Sequence, residues 1–231
     1  VFDEAEPNPT ASSVVKGAAK ARELGCEVIV GLGGGSIMDC SKAIAFSACN
    51  EGDIFDYVYG RRKGAAALPL ILVPTTCGTG SEGNSFAVLT DDETKDKKSL
   101  RDNLVIAKAS IVDPELMKTM PKKVLASVGF DALCHCMEAY VGKAASPMTD
   151  ILALEGIRLL GENLAAVYED YENQEGWCRI SLASTLGGMV IGQAGVAAPH
   201  GLEHPASGLR NITHGRGLAA LTPVISRHSI A

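Results

Sequence analysis

The 231-residue sequence has no basic excess: 21 Lys and Arg stand against 27 Asp and Glu, a formal net charge of −6. Broad binding to nucleic acid or to anionic membranes is therefore not expected. No apolar run approaches the roughly 18 residues that mark a bilayer span, and no segment is patterned as a signal peptide. The seven cysteines are odd in number and scattered rather than framed as a small disulfide scaffold, which points to reduced thiols in a reducing compartment. Internal repeats and low-complexity linkers are missing as well. These absences leave a soluble, cytoplasmic globular chain, large enough for one big domain or two small ones. An initiating methionine is also absent. Val1-Phe-Asp3 reads as the end of a strand and Ala231 falls within a helical pattern, so an internal fragment is expected.

What is present begins with alternation. Asn8-Pro-Thr10 is a turn ending in an N-cap, and Val14, Val15, Ala18 and Ala21 give the following segment to Leu24 helical spacing, closed by Gly25. Glu27 to Val30 forms a short buried strand, and a helix follows from about Ser36 to Ala48. Leu68 to Val73 is a second buried strand. Ser85 to Thr90 and the charged turn Asp91 to Lys95 suggest a hairpin, and Leu104 to Val112 a last strand. Alternating strands and helices imply a parallel sheet with helices on its faces. After Pro121 only helices are read, at Lys122 to Val141, Met148 to Glu169 and Glu175 to Val196. The expected organisation is an α/β domain over residues 1–120 and an all-α domain over 121–231, with the boundary near Lys118 to Pro121. Cys26, Cys40 and Cys49 lie in segments read as buried, where cysteine acts as a small hydrophobe.

Two glycine-rich turns follow the two buried strands. Gly31-Leu-Gly-Gly-Gly-Ser36 sits at a strand-to-helix junction, where bare backbone N–H groups and the helix N-terminus favour a phosphate. It nearly matches the dinucleotide fingerprint, with Ser36 in the third glycine's place. Taken alone, such a turn serves equally to pack a helix on a sheet. Pro74-Thr-Thr-Cys-Gly-Thr-Gly-Ser81 is crowded with hydroxyls suited to ribose or phosphate, although a flexible loop with capping residues would read the same way. It lacks the lysine of a P-loop, which argues against ATP or GTP hydrolysis. Two such turns at strand carboxyl ends favour the ligand reading.

All five histidines lie in the helical half, and four of them fall into one pattern. Asp131 and His135 stand one helical turn apart on one face, His200 and His204 repeat that spacing, and His214 follows. One carboxylate with imidazoles suits a first-row ion such as Fe(II) or Zn(II) better than calcium or magnesium. Cys134 and Cys136 flank His135, but on a helix their side chains diverge by about 200°, so they do not form a thiolate site. His228 stands apart and is expected to be structural or exposed.

These segments carry a resemblance. Pro7-Asn-Pro-Thr10, Gly33-Gly-Gly-Ser-x-x-Asp39, Pro74-Thr-Thr-x-Gly-Thr-Gly-Ser-Glu82, Gly129-x-Asp-Ala-Leu-x-His135 with Glu138, and His200-x-x-x-His204-Pro with His214-Gly215 occur in that order. Together the chain resembles the iron-containing (group III) alcohol dehydrogenases over essentially its whole length. The His214 to Pro223 stretch is similar to the bacterial butanol and 1,3-propanediol dehydrogenase branch. The resemblance implies a Rossmann-like nucleotide-binding domain followed by an all-α metal-binding domain, in the dehydroquinate synthase-like architecture. It implies metal ligands at Asp131, His135, His200 and His214, and a non-ligand role for His204 in passing a proton. It further implies dinucleotide contacts at Asn8, Gly35, Ser36, Asp39, Thr75, Thr76 and Thr79, with Val88, Lys97 and Leu116 as further ones. Cys77 stands where the family often has alanine. The family's first nucleotide-binding strands, with the residue that chooses NAD over NADP, would precede Val1, and its remaining helices would follow Ala231.

The implied activity is hydride transfer between a short-chain primary alcohol or diol and NAD or NADP, with Fe(II) or Zn(II) as the metal. A small alcohol or aldehyde would be the partner, without nucleic acid or membrane, and the full-length protein would form a homo-oligomer. Two rival readings remain: a zinc-dependent glycerol dehydrogenase or dehydroquinate synthase-like enzyme, disfavoured by the four-ligand set, and an inactive truncated remnant.

Overall fold

The computed structural model describes residues 1–210 and 212–230. The chain divides into two compact units, Val1–Pro74 with Ser81–Ile111, and Thr75–Gly80 with Val112–Ala231.

In the first unit, α1 (Ala11–Glu23) starts at Thr10, whose hydroxyl accepts the Ser13 N–H at 3.3 Å, and buries Val14, Ala18 and Ala21. The cap satisfies one of the first-turn N–H groups that a helix leaves unpaired. Strand β1 (Ile29–Gly33) leads into α2 (Gly35–Cys49), and α3 (Ile54–Val58) precedes β2 (Leu70–Pro74). β3 (Phe86–Thr90) and β4 (Lys97–Arg101) form an antiparallel ribbon in the register Phe86↔Arg101 to Thr90↔Lys97, closed by the charged turn. β5 (Ala109–Ser110) completes a parallel sheet of order β1-β2-β5. Parallel neighbours need a crossover, and α2 lies within the one between β1 and β2. On one side Met38 and Ala45 pack with Leu70 and Leu72; on the other Ala43 and Phe46 join Val14, Leu89 and Leu100.

The last strand is much shorter than its apolar pattern suggests. Asp102 accepts the Leu104 N–H at 3.0 Å and turns residues 103–105 into a short 3-10 helix, so pairing with β2 is confined to Ala109 and Ser110. A local side-chain cap competes successfully with the ladder here. Cys49, expected to be buried, is exposed at the end of α2, while Cys40 is buried. No disulfide joins any of the cysteines among the described residues.

The second unit is helical: α4 (Pro114–Met117), α5 (Lys122–Val141), α6 (Pro147–Glu169), α7 (Gln174–Ala194), α8 (Ala198–Arg210) and α9 (His214–Ile230). Ser146 and Thr149 form a reciprocal capping box before α6, and Asn173 caps α7 through the Gly176 N–H at 2.9 Å. Trp177, Ile180, Leu125, Leu159 and Leu160 fill the core between α5, α6 and α7. The turn Thr75–Gly80 belongs to this unit. Its Gly80 backbone runs so close to α7 that a Cβ on Gly188 would stand 1.9 Å from the Gly80 carbonyl oxygen. α5 is long and apolar enough by composition to cross a bilayer, with mean hydropathy 1.3. It also buries Asp131, His135 and Glu138. No single apolar run in it is long, because its apolar residues are interleaved with those acids and the histidine. At Gly195, whose φ of 75° is one glycine adopts without strain, the chain breaks and α8 departs from α7 at 101°.

Candidate metal centre

Three helices supply the site. Asp131 and His135 project from one face of α5, and Glu138 stands one turn further along it. α8 carries His200, Glu203 and His204, and His214 is the first residue of α9. The imidazole Nε2 atoms of His135, His200 and His214 lie 3.4, 3.3 and 3.5 Å from the same atom, Asp131 Oδ1. The rings of His135 and His200 stack with centroids 4.8 Å apart. Asp131, His135 and His200 are buried and His214 is half-buried.

The far nitrogens of two rings are held by carboxylates. His200 Nδ1 lies 2.6 Å from Glu138 Oε1, and His214 Nδ1 pairs with Glu203 Oε2. Glu138 Oε2 also accepts the backbone N–H of Ala197 at 2.6 Å and of His200 at 3.4 Å, so it caps α8 from another helix. Burial opposes ionisation of Asp131, but the charges of His135 and His214 and the hydrogen bonds from His200 and His214 outweigh it, holding the carboxyl well below its ordinary range. Burial pushes His135 down to about 4, against the pull of Asp131. For His200 burial is overcome by hydrogen bonds to Asp131 and Glu138, and its pKa rises to about 9. His214 is raised by Asp131 and Glu203 in the same way.

These residues fit a divalent first-row metal. One carboxylate oxygen and three imidazole nitrogens converge, and the ligating atoms of Asp131, His200 and His214 all lie within 4.8 Å of one another. A mixed oxygen and nitrogen set of this kind suits Fe(II) or Zn(II), and carboxylates behind ligating histidines are the usual outer partners of such ions. Glu203, His204 and His214 form a second such group, sharing His214. The His204 ring is half-buried, 5.7 Å from that of His200 and 5.4 Å from that of His214 between centroids. His228 is exposed.

Cys134 and Cys136 take no part. Cys134 Sγ lies 3.4 Å from Thr222 on α9, whereas Cys136 packs against Gly156 and Gly187 on α6 and α7. Burial pushes both thiols up to about 12, so both stay protonated and inert near neutral pH.

The residues expected to meet a dinucleotide fall in both units. In the first, Gly35 and Ser36 open α2, and Ser36 Oγ accepts the Asn8 N–H at 3.3 Å. Asp39 accepts from Ser81 Oγ at 2.6 Å and from the Val88 N–H at 3.0 Å. Burial raises its pKa, opposed by Lys42 and these hydrogen bonds. Lys97 starts β4. Thr75, Thr76, Thr79 and Leu116 belong to the helical unit. Sequence reasoning overlooked Lys42, which is fully buried and donates to Asn84 Oδ1 at 2.9 Å and to the Phe86 carbonyl at 2.6 Å. It also overlooked Glu203. His200-Gly-Leu-Glu-His204 displays an acid between two histidines, but nothing local says that it serves His214.

Residues 1–114 match a family model described as iron-containing alcohol dehydrogenase, and residues 125–231 match that of the Fe-containing alcohol dehydrogenase family, C-terminal. Alcohol dehydrogenase 4 of Saccharomyces cerevisiae is 38% identical over 96% of this chain and 58% of its own length. A solved 1,3-propanediol oxidoreductase superposes with a TM-score of 0.93 at 37% identity, covering 98% of this chain and 59% of that one. Sulfoacetaldehyde reductase from Bifidobacterium kashiwanohense, solved in complex with NAD+, gives a TM-score of 0.93 at 31% identity, over 98% of this chain and 61% of that one. The chain thus spans about three fifths of the length of the proteins it matches.

Proposed function

The chain belongs to the iron-containing alcohol dehydrogenase family, and from that premise we propose that it serves an NAD(P)-dependent interconversion of a short-chain primary alcohol or diol with its aldehyde. The observation that carries this reading is the convergence of three imidazole Nε2 atoms on Asp131 Oδ1. Asp131, His135, His200 and His214 would hold Fe(II), with Zn(II) as the alternative ion. Such an ion supplies a Lewis acid that polarises the substrate oxygen. The nicotinamide supplies the hydride acceptor or donor, and the protein's task toward it is positioning.

The chain's own residues do the rest. Asp131 is the one anionic ligand in the set. Gly35 and Ser36 present the N-terminus of α2, a place suited to a pyrophosphate. Asn8, Asp39, Thr75, Thr76, Thr79, Val88, Lys97 and Leu116 are proposed as the further dinucleotide contacts. Asp39 would act from a carboxylate already tied to Ser81 and Val88. His204, half-buried beside His200 and His214, is proposed to take the hydroxyl proton of the substrate and pass it to solvent. Cysteines present as thiols and not as disulfides among the described residues suit a cytoplasmic setting.

The test is NAD(H)- and NADP(H)-coupled turnover of butanol, 1,3-propanediol and glycerol by the metal-loaded chain, compared with His204→Asn. The variant is expected to keep its metal and lose about 100-fold or more in kcat. Loss of metal would make His204 a ligand and end its proton role. Metal binding and cofactor binding without turnover in the parent chain would end the enzymatic reading.

A further inference from the structure

Two buried carboxylates stand just outside the four proposed ligands. Glu138 on α5 divides its oxygens between the His200 ring and the backbone N–H groups of Ala197 and His200. Glu203 on α8 is 0% exposed, pairs through Oε2 with His214 Nδ1, and has no hydrogen-bond partner for Oε1. α9 leaves it room only because residue 217 is glycine: a Cβ there would come within 2.8 Å of Glu203 Cγ. Burying a carboxylate is costly unless its partners repay it. A packing role alone would be filled as well by leucine or glutamine.

The geometry points to Glu138 and Glu203 as positioning residues of the metal centre. Each receives the Nδ1–H of one histidine, Glu138 from His200 and Glu203 from His214. That contact selects the tautomer with its lone pair on Nε2, orients the ring toward Asp131 Oδ1, and makes Nε2 a stronger donor to a cation. The inference rests on the metal-centre reading above. The competing role for Glu203 is as a ligand itself, with His204 and His214, for a second ion. That role would need His214 to give up the Nδ1 contact already made.

The experiment titrates Co(II) and Zn(II) into the metal-free chain, its Glu138→Gln and Glu203→Gln variants, and Asp131→Asn. It follows Co(II) absorption, stoichiometry, the unfolding temperature of the apo chain, and imidazole N–H resonances of the Zn(II)-loaded chain. The parent is expected to bind one equivalent. Each glutamine variant should keep that stoichiometry with affinity about 10- to 100-fold weaker. Only the cognate ring should lose or shift its Nδ1–H signal, His200 in Glu138→Gln and His214 in Glu203→Gln. A lower apo unfolding temperature with affinity within about twofold of the parent would overturn the positioning role. Two equivalents in the parent falling to one in Glu203→Gln would make Glu203 a direct ligand and overturn its part. A parent that binds no ion, like Asp131→Asn, would instead bring down the metal-centre reading itself.

Discussion

Lys42 shows how a single buried charge leaves a measurable trace. Its ammonium is enclosed in the α/β unit, and burial lowers its pKa from 10.5 to about 8 despite Asp39 and Glu82 nearby. Between those values the unfolded chain still holds the proton while the folded chain has released it. More protons bound by the unfolded state means stability that rises with pH, here from about 8 to 10.5. In Lys42→Met this contribution is gone, while Cys40, raised to about 11 by burial, affects both proteins alike. The unfolding free energy of the parent minus that of Lys42→Met should therefore grow by about 3 kcal/mol across the window. Denaturant titrations at pH 7, 9 and 10.5 read it directly, and a flat difference would rule the buried cation out. No local pattern announces this residue. Lys42 sits in a helix whose apolar neighbours look like ordinary core, and only the arrival of Asn84 and Phe86 closes it off.

At the scale of elements, the site depends on how closely α9 can lie on α5. A Cβ at Gly215 would stand 1.9 Å from the Ser127 carbonyl oxygen, and a backbone atom cannot swing aside as a side chain can. Gly215→Ala is expected to cost about 1–3 kcal/mol and to weaken Co(II) binding, because the adjacent His214 moves with the helix start. Urea unfolding and metal titration together check this; unchanged affinity would show that His214 is placed independently of the helix contact. The courses of α5, α6 and α7, with Asp131 and His135 at i and i+4, were readable from local geometry, although α7 ends at Ala194 and not at the expected Val196. Helix α8 was not among those read from the sequence. The segment from Leu104 to Val112 was not readable, because its apolar pattern resembles a strand while Asp102 folds its first turn locally.

For the whole molecule, division into two compact units means that a ligand of one need not stabilise the other. A metal held by Asp131, His135, His200 and His214 binds only the folded helical unit. At a free concentration one hundredfold above its dissociation constant it should add about 2.7 kcal/mol. Hydrogen exchange measured with Zn(II) and then with a chelator should show protection gained in α5, α8 and α9 and little change in β1, β2 and α2. Equal protection throughout would contradict a centre confined to the helices. The amino-acid sequence by itself determined the chemistry of the donor set, the alternation of strands and helices, and the face of α5 that carries Asp131 and His135. Those features follow from residue type and helical period, which are local. Only the tertiary structure decided that three imidazoles meet on one oxygen of Asp131, that the turn at Thr75–Gly80 packs with the helices, and that Glu203 serves His214 rather than a neighbour in its own helix. Those outcomes arise where separate elements of the helical unit converge, and convergence is a matter of packing between elements that no spacing along the chain encodes.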